Sequence, residues 1–226
     1  MPKKFLIKKN CLRDEMVNQA ILKGIEIVKP QCFFFKNNDS AHLEDLILKN
    51  TELEPLDQNL GPMCNRALNS SKKRIVVLVE GISANTGQIC SLPKFIDLKK
   101  LYNIWLIVDE SLSFGTLGDH GVGMQEYYDI KDYSCKVNAV IGQTETVFGI
   151  SGGYTCCSEA STKHQILTSA SYVFSASSPP FIPAALEAMI EHLVNSPQLF
   201  STLKQFSTSV HKKLTKDTNL KIFGSK

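Results

Sequence analysis

The chain has 226 residues, 43% of them hydrophobic and 21% charged, which supplies one sizeable core and not obviously two. A net charge of only +3 gives no strong electrostatic basis for binding nucleic acid, and no apolar run reaches the roughly 18 residues of a membrane span or takes the form of a secretory leader. Seven cysteines without a C-x-x-C pair and five histidines isolated from one another argue for reduced thiols in a cytosolic compartment and against a metal site.

The lysine-rich start "MPKKFLIKKN" reads as a basic, disordered head over residues 1–10. Asp14 to Ile27 follows as a helix, with Met16, Val17, Ala20, Ile21 and Gly24 spaced along one face. "QCFFFK" is a short strand. Asp39 or Ser40 caps the next helix, in which Leu43, Leu46 and Ile47 recur at helical spacing. Thr51 to Lys73 is polar and turn-rich and reads as a loop. "RIVVLVEG" is a buried strand, Pro93 opens a helix through about Tyr102, and "IWLIVDE" is the next buried strand. A glycine-rich loop, "FGTLGDHGVG", precedes two further strands, "VNAVIG" and "GGYTCC". Helices are expected over Thr162–Ser171, from Pro183 to Asn195 and onward from Pro197, and "LKIFG" starts a strand as the chain stops. Apolar strands alternating with helices define an α/β layer structure, a mostly parallel sheet covered on both faces.

Two places have chemical potential. "IVDES" puts Asp109 and Glu110 at the carboxyl end of an apolar strand, the edge where open α/β sheets bind ligands; either carboxylate could instead cap the following loop. Gly115, Gly118, Gly121 and Gly123 allow positive φ or close backbone approach. Their spacing does not match G-x-G-x-x-G, so a dinucleotide site is not supported. The second place is "GQTETVFGISGGYTCC", Gly142 to Cys157. It is a glycine-paced turn into a strand, shaped to hold a cofactor, and it contains no lysine, histidine or aspartate.

"FFKNNDSAHLEDLI", "VEGISANTGQICSLPKFIDLKKLYNIWLIVDESLSFGTLGDHGVG" and "FSASSPPFIPAALEAM" resemble the α-oxoamine synthase family. These are pyridoxal-phosphate enzymes of the aspartate aminotransferase fold that condense an amino acid with an acyl-CoA thioester. The resemblance runs from about Asp14 to the end of the chain. It implies a partial large domain of the fold type I pyridoxal-phosphate transferases over residues 11–218, with residues 219–226 beginning a truncated C-terminal small domain. It also implies that the chain is the middle of a longer protein, since the family's membrane-anchoring N-terminal segment, the start of the large domain and most of the small domain have no counterpart here.

The family's chemistry uses a lysine that forms a Schiff base with the cofactor, an aspartate on the pyridinium nitrogen, a histidine stacked on the ring and another near the phenolic oxygen. The lysine pattern G-T-x-S-K-A-x-G-x-x-G-G-Y, laid on "GQTETVFGISGGY", puts Thr146 at the lysine. The pattern V-D-E-A-H-S-x-G, laid on "VDESLSFG", keeps Asp109 and puts Leu112 at a histidine. The pattern D-E-x-x-H-A-S, laid on "DEMVNQA", puts Asn18 at the stacking histidine. A threonine forms no imine. The resemblance therefore implies a degenerate, non-catalytic member with a vestigial Asp109, which holds no cofactor covalently and pairs with a lysine-bearing catalytic homologue. The pyridoxal phosphate would lie in that partner, with Ser175 and Ser177 of "FSASSPP" reaching towards its phosphate, unless that segment is only a helix-entry turn. The implied location is the cytosolic face of the endoplasmic reticulum, with membrane contact through segments or partners outside this chain. The alternative is an active enzyme using an unconventional lysine, with Lys163 the nearest downstream candidate.

Overall fold

The computed structural model describes residues 10–50, 75–217, 222 and 224. Six strands form one sheet: β1 (Asn10–Asp14), β2 (Gln31–Phe35), β3 (Ile75–Glu80), β4 (Trp105–Asp109), β5 (Ala139–Gln143) and β6 (Gly153–Cys157). Their order is β2-β1-β3-β4-β5-β6. The first five run parallel, and β6 pairs antiparallel with β5 at the edge.

The alternation of side chains along each strand supplies two covered faces. Ile75, Val77 and Val79 join Leu12, Leu106 and Val108 in the main core. That face is covered by α2 (Ser40–Asn50), through Leu43 and Ile47, and by α3 (Leu92–Tyr102), through Leu92, Phe95, Ile96 and Tyr102. Leu78 points to the other face, where it meets Val17 and Ile21 at the start of α1 (Gln19–Val28). Pro93 sits in the first turn of α3, where a missing N–H costs nothing, and Asn103 closes that helix in the left-handed conformation at φ 50°.

Downstream lie α4 (Met124–Tyr127), α5 (Tyr133–Lys136), α6 (Glu145–Phe148), α7 (Glu159–Thr168), α8 (Ala170–Val173), α9 (Phe181–Val194) and α10 (Gln198–Asp217). The four-residue helices α4, α5 and α6 are too short to carry a periodic signal, and the sequence does not reveal them.

Three expectations need correction. The stretch before Asn18 is not helix: Asn10 to Asp14 is a strand, which takes Asn10 out of the expected head. Five residues are too short to show a period, and β1 is set by pairing on both sides with β2 and β3. The expected helix over Thr162–Ser171 is two helices, broken where Ser169 is extended, at φ −75° and ψ 120°. The helix expected from Pro183 starts at Phe181, because proline is tolerated within a first turn. The loop over Thr51–Lys73, the strand of "LKIFG" and nearly all of the basic head fall outside the described residues.

Candidate functional site

The carboxyl ends of the parallel strands bring several polar groups to one edge. Asp14 ends β1 and is buried. Its carboxylate accepts hydrogen bonds from Met16 N (2.9 Å), Asn38 N (2.8 Å) and Asn37 Nδ2, which lies 3.0 Å from both oxygens. Asn38 in turn donates to Ile89 O and accepts from Ser91 N. Asp14 is thus a structural tie between β1, the turn into α2 and the chain entering α3.

Asn18 sits beside this tie. Its side-chain oxygen accepts from Ala20 N at 2.9 Å and so caps α1, the preferred use of asparagine at a helix start. Its own N–H donates to Glu80 Oε1 at 3.3 Å. Glu80, at the end of β3, is the register partner of Asp109 at the end of β4. Burial, then the neighbouring Asp109 charge, push the Glu80 carboxyl from its ordinary 4.5 up to about 7. The sequence reading missed Glu80. The signal was available, since "VVLVEG" ends a buried strand in a carboxylate just as "WLIVDE" does.

Asp109 and Glu110 are adjacent and differ in role. Asp109 Oδ1 accepts from Ser111 N at 2.8 Å, a local turn contact. Glu110 is only 3% exposed. Its carboxylate accepts from Met124 N (2.9 Å), Tyr133 Oη (2.6 Å) and Ser113 Oγ (3.2 Å), which fastens both ends of the glycine-rich loop to β4. Burial first, and then the Glu110 charge, raise the Tyr133 phenol, so it remains a donor. Contact requires glycine at several positions of this loop, Gly121 and Gly123 among them. A Cβ on Gly123 would stand 2.1 Å from Glu110 Oε2, and one on Gly121 would stand 2.3 Å from the Phe200 ring. The positive φ that the sequence allows at Gly115, Gly118, Gly121 and Gly123 is present at all four, and this chain's own side chains fill the space beside them.

The turn between β5 and β6 is closed by Thr144, which is buried and donates through Oγ1 to Ile150 O at 2.6 Å, while its N–H donates to Gly152 O. Gly149, at φ 64°, ends the single-turn helix α6. Phe148 of α6 is buried, and Val147 packs under Gly115. Thr146 faces outward, and its hydroxyl accepts from Gln143 Nε2 at 2.6 Å. Gln143 N donates to Ser111 Oγ at 3.2 Å, which links this turn to the one carrying Leu112, a partly buried side chain.

Asn18, Asp109, Leu112 and Thr146 therefore all lie along one edge, on the turns that follow β1, β4 and β5. Ser175 and Ser177 lie between α8 and α9 and are exposed. Lys163 is on α7, exposed, with Nζ paired to Glu159 Oε1 at 2.6 Å one turn away. An apolar cleft of about 280 Å³ opens beside the turn, between Gly115, Gly121, Val147, Val194 and Phe200. Among the described residues no group of three or more His, Cys, Asp or Glu is arranged to hold a metal ion, and no helix is long and apolar enough to cross a membrane.

Residues 14–226 match the model of the aminotransferase class I and II family, and the chain belongs to that family. It is similar to long chain base biosynthesis protein 1b of Oryza sativa subsp. japonica, at 31% identity over 92% of this chain and 40% of that protein. It is also similar to serine palmitoyltransferase 1 of Dictyostelium discoideum, at 32% identity over 84% of this chain and 36% of that protein. The serine palmitoyltransferase of Sphingomonas wittichii superposes with a TM-score of 0.76 at 21% identity, over 92% of this chain and 47% of that one. The fold is that of the pyridoxal-phosphate-dependent transferases, present in part. The chain spans 36–40% of the length of these two curated relatives.

Proposed function

We propose that this chain is part of a non-catalytic, structural and regulatory subunit of serine palmitoyltransferase, paired with a lysine-bearing catalytic subunit on the cytosolic face of the endoplasmic reticulum. The pair would make 3-oxosphinganine from serine and palmitoyl-CoA, the first step of sphingolipid biosynthesis. The similarity to proteins named serine palmitoyltransferase 1 and long chain base biosynthesis protein 1b supports the pathway.

The observation that carries the non-catalytic role is Thr146. It stands where the family pattern has its lysine, on an exposed turn, with its hydroxyl bonded to Gln143. A hydroxyl cannot hold a carbonyl group as an imine. Asn18, at the stacking position, has its side-chain oxygen committed to Ala20 N, and Leu112 offers no proton to the phenolic side. These residues do not fit covalently held pyridoxal phosphate, which in such enzymes serves as an electron sink. Asp109 is retained as a turn residue, and Ser175 and Ser177, being exposed, are free to face a partner's cofactor phosphate.

The test is co-expression with a catalytic homologue. The two chains are expected to co-elute on size-exclusion chromatography. Borohydride reduction in the presence of cofactor should leave a pyridoxyl group on the partner's lysine and none on this chain. A stable monomer that ignores the partner, or a stoichiometric pyridoxyl-lysine here, overturns the proposal.

A further inference from the structure

Cys11 on β1 and Cys32 on β2 are register partners in the parallel pair. Neighbouring strands lie about 4.8 Å apart, and a disulfide spans Cα separations of roughly 4.4–6.8 Å. The side chains share a face. Two residues further on, Arg13 and Phe34 are also partners, and the Arg13 guanidinium lies over the Phe34 ring at 4.2 Å. The two-residue period of a strand puts Cys11 and Cys32 on that same side.

Their accessibility differs. Cys11 is buried, whereas Cys32 is half-buried and lines an open cleft between α1 and β2 with Arg13, Leu22, Ile25, Lys29 and Phe34. Burial, and then the adjacent Cys32 thiol, push the Cys11 thiol up to about 12. Cys11 is thus a protonated thiol at neutral pH and unreactive towards oxidants by itself. Nothing in the proposed subunit role uses either residue.

We propose that Cys11 and Cys32 are a redox pair that closes into a disulfide when a hydroperoxide enters the cleft between α1 and β2. The Cys32 thiolate attacks the peroxide, the O–O bond breaks, and the products are a sulfenic acid at Cys32 and hydroxide or alkoxide, which takes a proton. The Cys11 sulfur then attacks the Cys32 sulfur. An S–S bond forms, the S–O bond breaks, and the departing hydroxyl leaves with the Cys11 proton as water. Two thiols give up two electrons to one hydroperoxide, and a dithiol reductant returns them. The bridge encloses the crossover from Leu12 to Gln31, so it fixes α1 and its Asn18 cap against the edge of the sheet. In a reducing compartment such bonds are transient and signal oxidant exposure.

The test uses the full 226-residue chain, expressed with its catalytic partner, exposed to hydrogen peroxide, quenched in acid and alkylated after unfolding. Proteolysis and mass spectrometry should show the Cys11 and Cys32 peptides joined, lighter by two hydrogens than their sum, in at least half of the chains. Dithiothreitol should abolish the link. Cys11→Ala should instead accumulate a dimedone-reactive sulfenic acid at Cys32. Cys32→Ser, which leaves the buried residue untouched, should leave Cys11 fully alkylatable after the same treatment. The proposal is overturned if peroxide drives Cys32 to the sulfinic acid while Cys11 is recovered as free thiol. It is equally overturned if the exposed Cys135 and Cys156 are oxidised while Cys11 and Cys32 both remain reduced.

Discussion

The two halves of the chain are built from similar elements and buried very differently. From Asn10 to Phe148, strands β1, β3 and β4 and helices α2 and α3 close a continuous core. After Phe148, Phe200 is the only buried apolar residue among the described residues. Yet the second half is not polar. Phe174, Phe181, Val194, Leu203, Phe206 and Val210 are all exposed, and Leu199, Leu203, Phe206 and Val210 recur on α10 at the spacing of one helix face. An apolar helix face of that kind gains its stability from burial against something else. The comparison teaches that helical periodicity reports a need for a neighbour and leaves open whether the neighbour is in the same chain.

The sharpest way to break the comparison is a core truncation. Leu106→Ala removes a fully buried side chain at the centre of the sheet and is expected to cost about 3–4 kcal/mol, measured as a drop in the midpoint of chemical unfolding. A loss under about 1 kcal/mol would mean that the first half is not the stable half. Gly121→Ala attacks the seam between the halves. It combines a φ of 72° with a Cβ 2.3 Å from the Phe200 ring and is expected to cost about 2–3 kcal/mol. If the variant unfolds at the wild-type midpoint, Phe200 is not packed on the glycine loop.

The third test is pH. Glu80 binds its proton more tightly in the fold, at about 7, than at its ordinary 4.5. The raised value means that this group favours the fold when protonated. Its contribution is complete below about pH 4.5 and is lost as pH rises through 7. Solvent screening of a half-buried group reduces the effect to about 1–2 kcal/mol. Glu80→Gln should flatten that part of the stability profile, read by denaturation at pH 5 and pH 8; an unchanged difference between wild type at the two values and the variant at the same two would remove Glu80 as its source. The smallest effect is expected from Phe206→Ala, which is 67% exposed and should change the stability of the isolated chain by no more than about 0.5 kcal/mol. With the proposed catalytic partner present, Tm should rise with partner concentration. If Phe206→Ala lowers that rise, the α10 face meets the partner; if it lowers Tm of the isolated chain by several degrees, the face is already covered.

Much of the fold was legible because its signals are local. Pro93, Asp39 and the apolar runs of β3 and β4 mark their own elements, and Asp39 does cap α2, accepting from His42 N at 2.9 Å. What was illegible depended on pairing. The sequence starts a helix at Asp14, because Met16, Val17, Ala20 and Ile21 follow at helical spacing, and assigns no element just before it; only the two neighbours β2 and β3 make Asn10 to Asp14 a strand. Neither could the antiparallel direction of β6 be read, since direction is set by the short return through α6. At the site, sequence patterns located Asn18, Asp109, Leu112 and Thr146, and the structure puts them on one edge. They gave no hint that Glu80 faces Asp109, because that contact joins strands 29 residues apart in sequence and exists only through register.

The three bonds made by Glu110 also distribute mutational freedom around the turn. Met124 N, Tyr133 Oη and Ser113 Oγ all donate to one carboxylate, so losing the Tyr133 or Ser113 side chain leaves a buried acceptor short of a partner, losing Glu110 strands three donors, and Gly123 has no room for even a methyl group. Thr146, on the outside of its own turn, is held by an exchangeable bond to Gln143. A library of random variants would therefore tolerate many residues at Thr146 and few at Glu110, Ser113, Gly121 and Gly123. A chain of this design can vary at Thr146, where we propose that the family pattern has its lysine, and still present the same scaffold.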